Sequence, residues 1–471
     1  MNYYYHSIRT AIIILFSLFI SMSPNLAQSD EDVFYLKKIY DHTLQQGKCY
    51  DWLTHLSEDI GGRLAGSPGA AAAVEYTKQI MSENNFDKVS LQSCMVPHWV
   101  RGGTEIVKIV DSDRIGTVEL NATSLGNSVG TGDGGLIGEV VEVKSLNELM
   151  ALSPAQVTGK VVFFNRPMDP TQILTFRAYG GAVDQRGSGP AKAASMGAIA
   201  AIVRSMTTRS DDVPHTGVTV FNEGDKLIPA LAISTNDADK LSALLTHEEV
   251  SLYIENHCVM KEDKESYNVI GEIRGSQYPD EIILVGGHLD SWDIGGGAHD
   301  DGSGCVHSIQ AMTTLLELGY QPLRTWRCVM FMNEENGLGG ALAYAAESNA
   351  KNEYHMAAIE SDAGGFSPRA FAVGGDKDIF EQKFPVIRAW RDMLSSYGIE
   401  LTPGGGGADI NPLKSQRGLL FGLRPDSQRY FDYHHTAIDR INAVNQRELE
   451  LGAAAMSSLV YLLDKYGIDG K

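Results

Sequence analysis

The chain is predicted to be an α/β protein. It would have a mostly parallel central sheet covered by helices on both faces, interrupted by a β-rich insert. Three observations predict this. From residue 265 onward, buried-type strand runs alternate with helical runs. Several of those strands end in ionisable residues, which is where open α/β sheets place their sites. Between about 118 and 264 the texture changes to short β-type segments separated by Gly, Pro, Asp and Ser clusters.

At 471 residues the chain is long for one domain, and 43% hydrophobic with 21% charged residues is ordinary for a globular protein. The net charge of −20, from 39 Lys+Arg against 59 Asp+Glu, argues against nucleic-acid binding, which needs basic patches for phosphates. Arg9, an apolar block from Ala11 to Ile20, and small residues up to Ala27 follow the order of an export signal. The block is shorter than the roughly 20 residues that span a bilayer. Residues 1–27 are therefore expected to be a cleaved leader, leaving no stable membrane anchor and a periplasmic or extracellular protein. Cys49, Cys94, Cys258, Cys305 and Cys328 lack Cys-x-x-Cys spacing, and their odd number leaves at least one thiol unpaired.

The main domain would run from 28 to 117 and resume from 265 to 471, with the insert at 118–264. In the first part Leu36, Ile39, Tyr40 and Leu44 lie near helical spacing, as do Trp52, Leu53 and Leu56. A turn-rich break from Gly61 to Gly69 precedes a helix from Ala70 to Met81. Alternation from Lys88 to Met95 and from Glu105 to Val110 reads as strand. In the insert, strands are expected at 136–143, 160–164, 198–203, 230–233 and 251–254, with short helices at 191–196 and 238–245. After it come strands at 267–273 and 282–285, an amphipathic helix from Ser303 to Leu318 closed by Gly319, a strand at 326–332, a helix at 340–348 and a strand at 357–361.

The chemistry lies at strand ends. The run Ile282-Ile283-Leu284-Val285 leads to His288-Leu289-Asp290. A loop with three glycines then delivers Asp300-Asp301-Gly302. The next strand ends at Asn333-Glu334-Glu335 and the third at Glu360-Ser361-Asp362. Neighbouring strands lie about 5 Å apart, so their ends would gather an imidazole and several carboxylates at one edge. Tyr433-His434-His435-Thr436-Ala437-Ile438-Asp439 supplies more imidazole. Crowded carboxylates raise one another's pKa, and a divalent cation removes that cost. Mixed His and carboxylate ligands suit zinc. Two metals sharing a carboxylate make a hydrolytic centre, which also needs a non-ligand carboxylate as proton acceptor. Adjacent glutamates can divide those roles.

The set His288-x-Asp290, Asp300-Asp301-Gly302-Ser303-Gly304, Glu334-Glu335, Ser361-Asp362 and His435-Thr436-x-x-Asp439 resembles the co-catalytic zinc exopeptidases of aminopeptidase and glutamate carboxypeptidase type. Arg63-Leu64-Ala65-Gly66-Ser67-Pro68 and the insert's position resemble their plasma glutamate carboxypeptidase branch. The segment Gly189 to Ala198, followed by an apolar strand, is similar to the protease-associated domain found inside several exopeptidases. The resemblance implies the zinc exopeptidase fold, two Zn²⁺ ions, short peptide or dipeptide substrates and a homodimer. It implies that His288 and Asp362 hold one zinc, that Glu335 and His435 hold the other, and that Asp300 bridges both. Glu334 would be general base and acid, and Asp290 would orient His288 through its second ring nitrogen. A cis Asp300–Asp301 peptide is implied as well.

Some relatives carry a Tyr that steadies the oxyanion at the position of His434, so His434 stands between an oxyanion or substrate role and simple packing. The Gly404 to Gly407 run resembles a substrate-side loop, with Asp409 able to face a substrate's ammonium group, or is a surface turn. Asp301-Gly302-Ser303-Gly304 lacks the leading glycine of a serine-hydrolase elbow, and no phosphate-loop pattern follows the glycine runs. Two rival classes share the fold. A peptidase-fold binding protein would have replaced ligands, whereas all five stand here. An acyltransferase of glutaminyl cyclase type would hold a single zinc.

Overall fold

The computed structural model describes residues 30–469, so the expected leader at 1–27 lies outside the described residues. These residues form two eight-stranded sheets. In spatial order the first holds Lys88–Val100, Val259–Ile273, Arg324–Phe331, Tyr278–His288, Tyr354–Glu360, Leu419–Pro425, Pro368–Gly375 and Glu400–Pro403. Its centre is parallel: Tyr278–His288 runs alongside Arg324–Phe331 on one side and Tyr354–Glu360 on the other, and Leu419–Pro425 continues the direction. Towards the edges pairing turns antiparallel, so the sheet is mixed.

Alternation of side chains sends the central strands' residues to two faces. Ile283, Val285, Cys328, Met330 and Ile359 pack under the helices Ser303–Glu317 and Gln446–Tyr466, with Ile309, Met312, Leu459 and Leu462 opposite them. Leu284, Val329, Phe331 and Ala358 face the other way, onto Ala341 and Tyr344 of the helix Gly339–Ala350. The run Ile282 to Val285 is continuously apolar because both of its faces are covered. No helix among the described residues is long and apolar enough to cross a membrane, and all five cysteines are unpaired and buried.

The second sheet, in the order Gly116–Leu120, Ile106–Ser112, Ser251–Glu255, Leu136–Val143, Val161–Phe164, Ala200–Arg204, Ala230–Ile233 and Ala122–Ser124, differs from expectation in two ways. Ile106–Ser112 belongs to it, paired with Ser251–Glu255, so this unit begins before residue 118. Alternation identifies a strand but not its sheet. The segment is also less purely β than expected. Leu136–Val143, Val161–Phe164, Ala200–Arg204 and Ala230–Ile233 run parallel, and the helices Leu146–Ala151 and Thr175–Gly180 join the two expected ones, which lie at Gly189–Ser195 and Thr235–Leu245. Helices of six residues leave little periodicity to read. The chain leaves the first sheet at Val100 and re-enters it at Val259, and these two strand ends pair with each other.

One buried histidine of the second face sets an acid limit on stability. His355 Nδ1 donates to Gln416 Oε1 at 2.8 Å, and its Nε2 accepts from the Tyr344 hydroxyl at 2.7 Å, which is the pattern of a neutral ring. Burial holds its pKa down to about 4. The unfolded ring, with a pKa near about 6.5, takes its proton first as pH falls. Its contribution is therefore intact above about pH 6.5 and is lost at roughly 1.4 kcal/mol per pH unit down to the folded value. The urea midpoint is expected to fall over that range and to fall less steeply in His355→Gln. Equal slopes in both proteins would contradict this.

Candidate metal centre

The three parallel strands deliver their C-terminal residues side by side. His288 closes its strand opposite Phe331, and Gly286 pairs with Glu360, two residues before Asp362. The helix Ser303–Glu317 comes so close beneath that a Cβ on Gly287 would lie 2.4 Å from Asp301 Oδ2 and 2.9 Å from the Gly304 carbonyl carbon, so this strand end requires glycine. Asp301 ties the two together: its carboxylate accepts from His288 N at 3.1 Å and from Gly304 N at 3.0 Å. The Asp300–Asp301 peptide is cis.

The carboxylate of Asp300 lies among three imidazoles. His288 Nε2 is 3.2 Å from Oδ1, while His435 Nε2 and His434 Nε2 are 3.3 and 3.7 Å from Oδ2. His288 Nε2 also lies 3.6 Å from Asp362 Oδ1, and His435 Nε2 lies 3.1 Å from Glu335 Oε2. Sets of these groups, His288 with Asp300 and Glu335 among them, present ligand atoms within 4.8 Å of one another. The structure thus brings together His288, Asp300, Glu335, Asp362 and His435, with Glu334 on the wall of the same pocket. Burial, joined by the neighbouring carboxylates, pushes Glu334 up to about 8 and raises Asp300 and Glu335 as well.

The donor set fits a cation. Asp300 Oδ2 and Glu335 Oε1 are buried without a hydrogen-bond partner among the described residues, a state that is costly unless something positive faces them. Both inner imidazoles can offer a lone pair. His288 Nδ1 lies 2.9 Å from the Asp290 carbonyl, and His435 Nδ1 lies 3.3 Å from both the Thr216 carbonyl and Arg186 NH1; a ring that donates from Nδ1 presents the lone pair of Nε2 to the carboxylates.

Asp290 differs in detail from expectation. It anchors His288 through its backbone carbonyl, and its side chain is 3.8 Å from the ring nitrogen. The carboxylate instead accepts from the backbone amides of Asn333 (2.7 Å), Glu334 (3.0 Å) and Glu335 (3.3 Å), so it fixes the turn that presents both glutamates. Asp439 does the same for the bridging position, accepting from His299 N at 2.8 Å and Asp300 N at 3.1 Å. Arg63 is fully buried. It donates to the carbonyls of Leu289 (2.6 Å), Gly296 (2.6 Å) and Gly297 (2.9 Å), along the loop between His288 and Asp300.

His434 stacks on His435 with ring centroids 3.5 Å apart and packs edge-on against Tyr179 and Phe431. Asp409 is not brought to the pocket. It is 1% exposed and neither oxygen has a hydrogen-bond partner among the described residues. The glycine run lays its backbone against Glu360, where a Cβ on Gly407 would fall 2.0 Å from Oε1, and Asp409 follows it into the interior.

The second sheet's unit supplies residues that sequence reasoning missed. Tyr179, Arg186 and Val218 line the pocket of about 260 Å³ that holds Asp300, Glu334, Glu335 and Asp362. Arg186 is buried. Its NH2 group donates to Tyr179 Oη at 2.6 Å and its NH1 group lies 3.3 Å from both the Thr216 carbonyl and His435 Nδ1, while Nε has no partner among the described residues. Nothing around Arg186 in the sequence forms a motif. For Asp439 the signal was present in His435-Thr436-x-x-Asp439.

Residues 268–460 match the sequence pattern of Peptidase family M28. The chain is 31% identical to human carboxypeptidase Q over 421 residues, covering 89% of this chain and 85% of that protein. The crystal structure of a peptidase M28 precursor from Shewanella amazonensis superposes with a TM-score of 0.86 at 32% identity, over 92% of this chain and 97% of that one. A zinc aminopeptidase from Bacillus subtilis shares the fold at 19% identity, with a TM-score of 0.61 over 88% of this chain and 94% of that one.

Proposed function

We propose that this chain, which belongs to peptidase family M28 and is a zinc metallopeptidase, is an exported di-zinc exopeptidase that hydrolyses dipeptides and other short peptides. The observation that carries the reading is the pair of imidazoles, His288 and His435, whose Nε2 atoms face the two carboxylate oxygens of Asp300 at 3.2 and 3.3 Å. His288 and Asp362 would hold one zinc, Glu335 and His435 the other, and Asp300 both. His435 is preferred to His434 because two carboxylates lie within 3.3 Å of it and only one lies near His434, at 3.7 Å. The export reading rests on Arg9 and the apolar block from Ala11 to Ile20. The protease-associated character of the second unit rests on the Gly189 to Ala198 resemblance.

When bound, the ions would polarise the scissile carbonyl and lower the pKa of water. Glu334 is positioned by Asp290, which accepts from its backbone amide at 3.0 Å, and its carboxylate holds no hydrogen bond among the described residues. It would take a proton from the attacking water and return it to the leaving amine. Its raised pKa suits a group that must both accept and donate. Arg186 lines the same pocket without a carboxylate partner among the described residues, and it favours a substrate whose own carboxylate lies one residue from the scissile bond.

Free, N-blocked and C-blocked dipeptides, assayed with and without a chelator, test this reading. Free dipeptides should be cleaved and C-blocked ones cleaved at least tenfold more slowly. Chelation should abolish activity, and zinc should restore it. Chelator-resistant hydrolysis would overturn the metal mechanism, and equal rates on C-blocked substrates would remove Arg186 from recognition.

A further inference from the structure

His299 stands immediately before Asp300 and is fully buried. Its imidazole reaches the segments that carry two other ligands of the proposed set. Its Nδ1 accepts from the buried amide of Gly365 at 3.1 Å, three residues beyond Asp362. Its face lies on Phe366, with ring centroids 4.2 Å apart and planes 5° from parallel. Tyr433, two residues before His435, stacks on it at 5.3 Å and 29°. A backbone N–H can only donate, so Nδ1 carries the lone pair and Nε2 the proton. Nε2 lies 3.3 Å from the Ala443 carbonyl, the acceptor this tautomer needs. Both ring nitrogens are therefore engaged by backbone, and neither is left to bind a metal. The backbone of His299 is held as well: its N–H donates to Asp439 Oδ1 at 2.8 Å, and its carbonyl accepts from Ser303 Oγ at 2.9 Å.

We propose that His299 is a positioning residue for the metal centre: one imidazole that sets the spacing of Asp300, Asp362 and His435 by holding the three segments that carry them. This rests on the ligand assignment above and adds the part that keeps those ligands in register. The chemistry of the place selects histidine. Without an acceptor at Nδ1 the Gly365 amide would be a buried donor with no partner. Phenylalanine would keep the flat faces that meet Phe366 and Tyr433 but would offer that amide nothing. Asparagine would keep an acceptor where Nδ1 stands and lose the faces. The imidazole supplies an acceptor, a donor and two faces at once. The ligand atoms of the centre lie in sets within 4.8 Å of one another, so a small shift of one segment alters the fit to an ion directly. Removing a group that orients ligands in this way typically weakens metal binding by about 10–100-fold.

The test is zinc titration of the metal-free full chain against a competing chelator, with thermal midpoints measured with and without zinc. His299→Phe is expected to weaken zinc binding at least tenfold. At saturating zinc it should lower kcat on a free dipeptide while KM stays within threefold. His299→Asn should bind zinc at least threefold more tightly than His299→Phe, because the Gly365 amide keeps an acceptor. A merely structural role predicts the same fall in thermal midpoint with and without zinc, and wild-type zinc affinity in the folded protein; that result would overturn the proposal. Should His299→Phe fail to fold, Tyr433→Leu removes the ring on the His435 side from a half-buried position. It is expected to weaken zinc at least threefold, and unchanged affinity there would overturn the proposal too. A wild-type protein that takes up no zinc would overturn the ligand assignment itself, so the two failures are told apart.

Discussion

Glu334→Gln is expected to lower kcat by about 10²–10⁴-fold, the usual worth of a positioned general base, with zinc content unchanged. The amide is nearly isosteric but cannot take a proton, and the turn around it is held through backbone amides that bond to Asp290, which the substitution does not touch. Thermal stability of the metal-free protein should rise, because a buried carboxyl whose pKa is pushed up to about 8 is removed from a crowded acidic site. Kinetics paired with metal analysis check this. Activity within tenfold of wild type would remove Glu334 from proton transfer. Loss of zinc along with activity would instead make it part of the metal's support.

The second large effect is expected at Arg63. Its guanidinium holds three carbonyls of the loop that separates His288 from Asp300. Arg63→Ala would leave the Leu289 and Gly296 carbonyls buried without donors, at about 1–3 kcal/mol each, while Gly297 keeps only its bond from Gly302 N. A loss of several kcal/mol in stability and at least a tenfold fall in zinc affinity are expected. Arg63→Lys should recover little, since one ammonium cannot reproduce a planar fork directed at three acceptors. Free guanidinium at millimolar concentration, too dilute to denature, should partly restore zinc retention to the alanine variant. A purely structural role predicts loss of the thermal midpoint with unchanged zinc affinity in whatever fraction remains folded, so calorimetry and metal titration together separate the two.

The strand ends were legible because His288, Glu334 and Asp362 each follow an apolar run, and in adjacent parallel strands equal positions along the chain become neighbours. The cis Asp300–Asp301 peptide was legible only through the family resemblance, since no periodicity signals it. Arg186 and Thr216 were not legible. They reach the site from a unit folded separately in sequence, and no local pattern marks a backbone carbonyl as the anchor of an imidazole. The family resemblance implied that Asp290 orients His288, which it does through its backbone carbonyl, whereas its carboxylate turns towards three amides at the end of the neighbouring strand. Asp409 was ambiguous because a glycine run reads alike whether it lies on the surface or packs against a buried glutamate.

The Thr216 carbonyl that anchors His435 belongs to the unit threaded between Val100 and Val259. The junction also carries Arg101 paired with Asp293 at 2.9 Å, and Trp292 packed against Gly126. The imidazole proposed as a metal ligand is therefore aligned from across a seam. Movement at that seam would tilt the ring relative to Glu335 and Asp300, so full metal affinity is expected only where both units are folded and seated. If His435 holds zinc as proposed, zinc affinity becomes a gauge of how well the seam is seated, and a protease nick or a crowding substitution along it would register first as a leaking metal, before any unfolding could be seen.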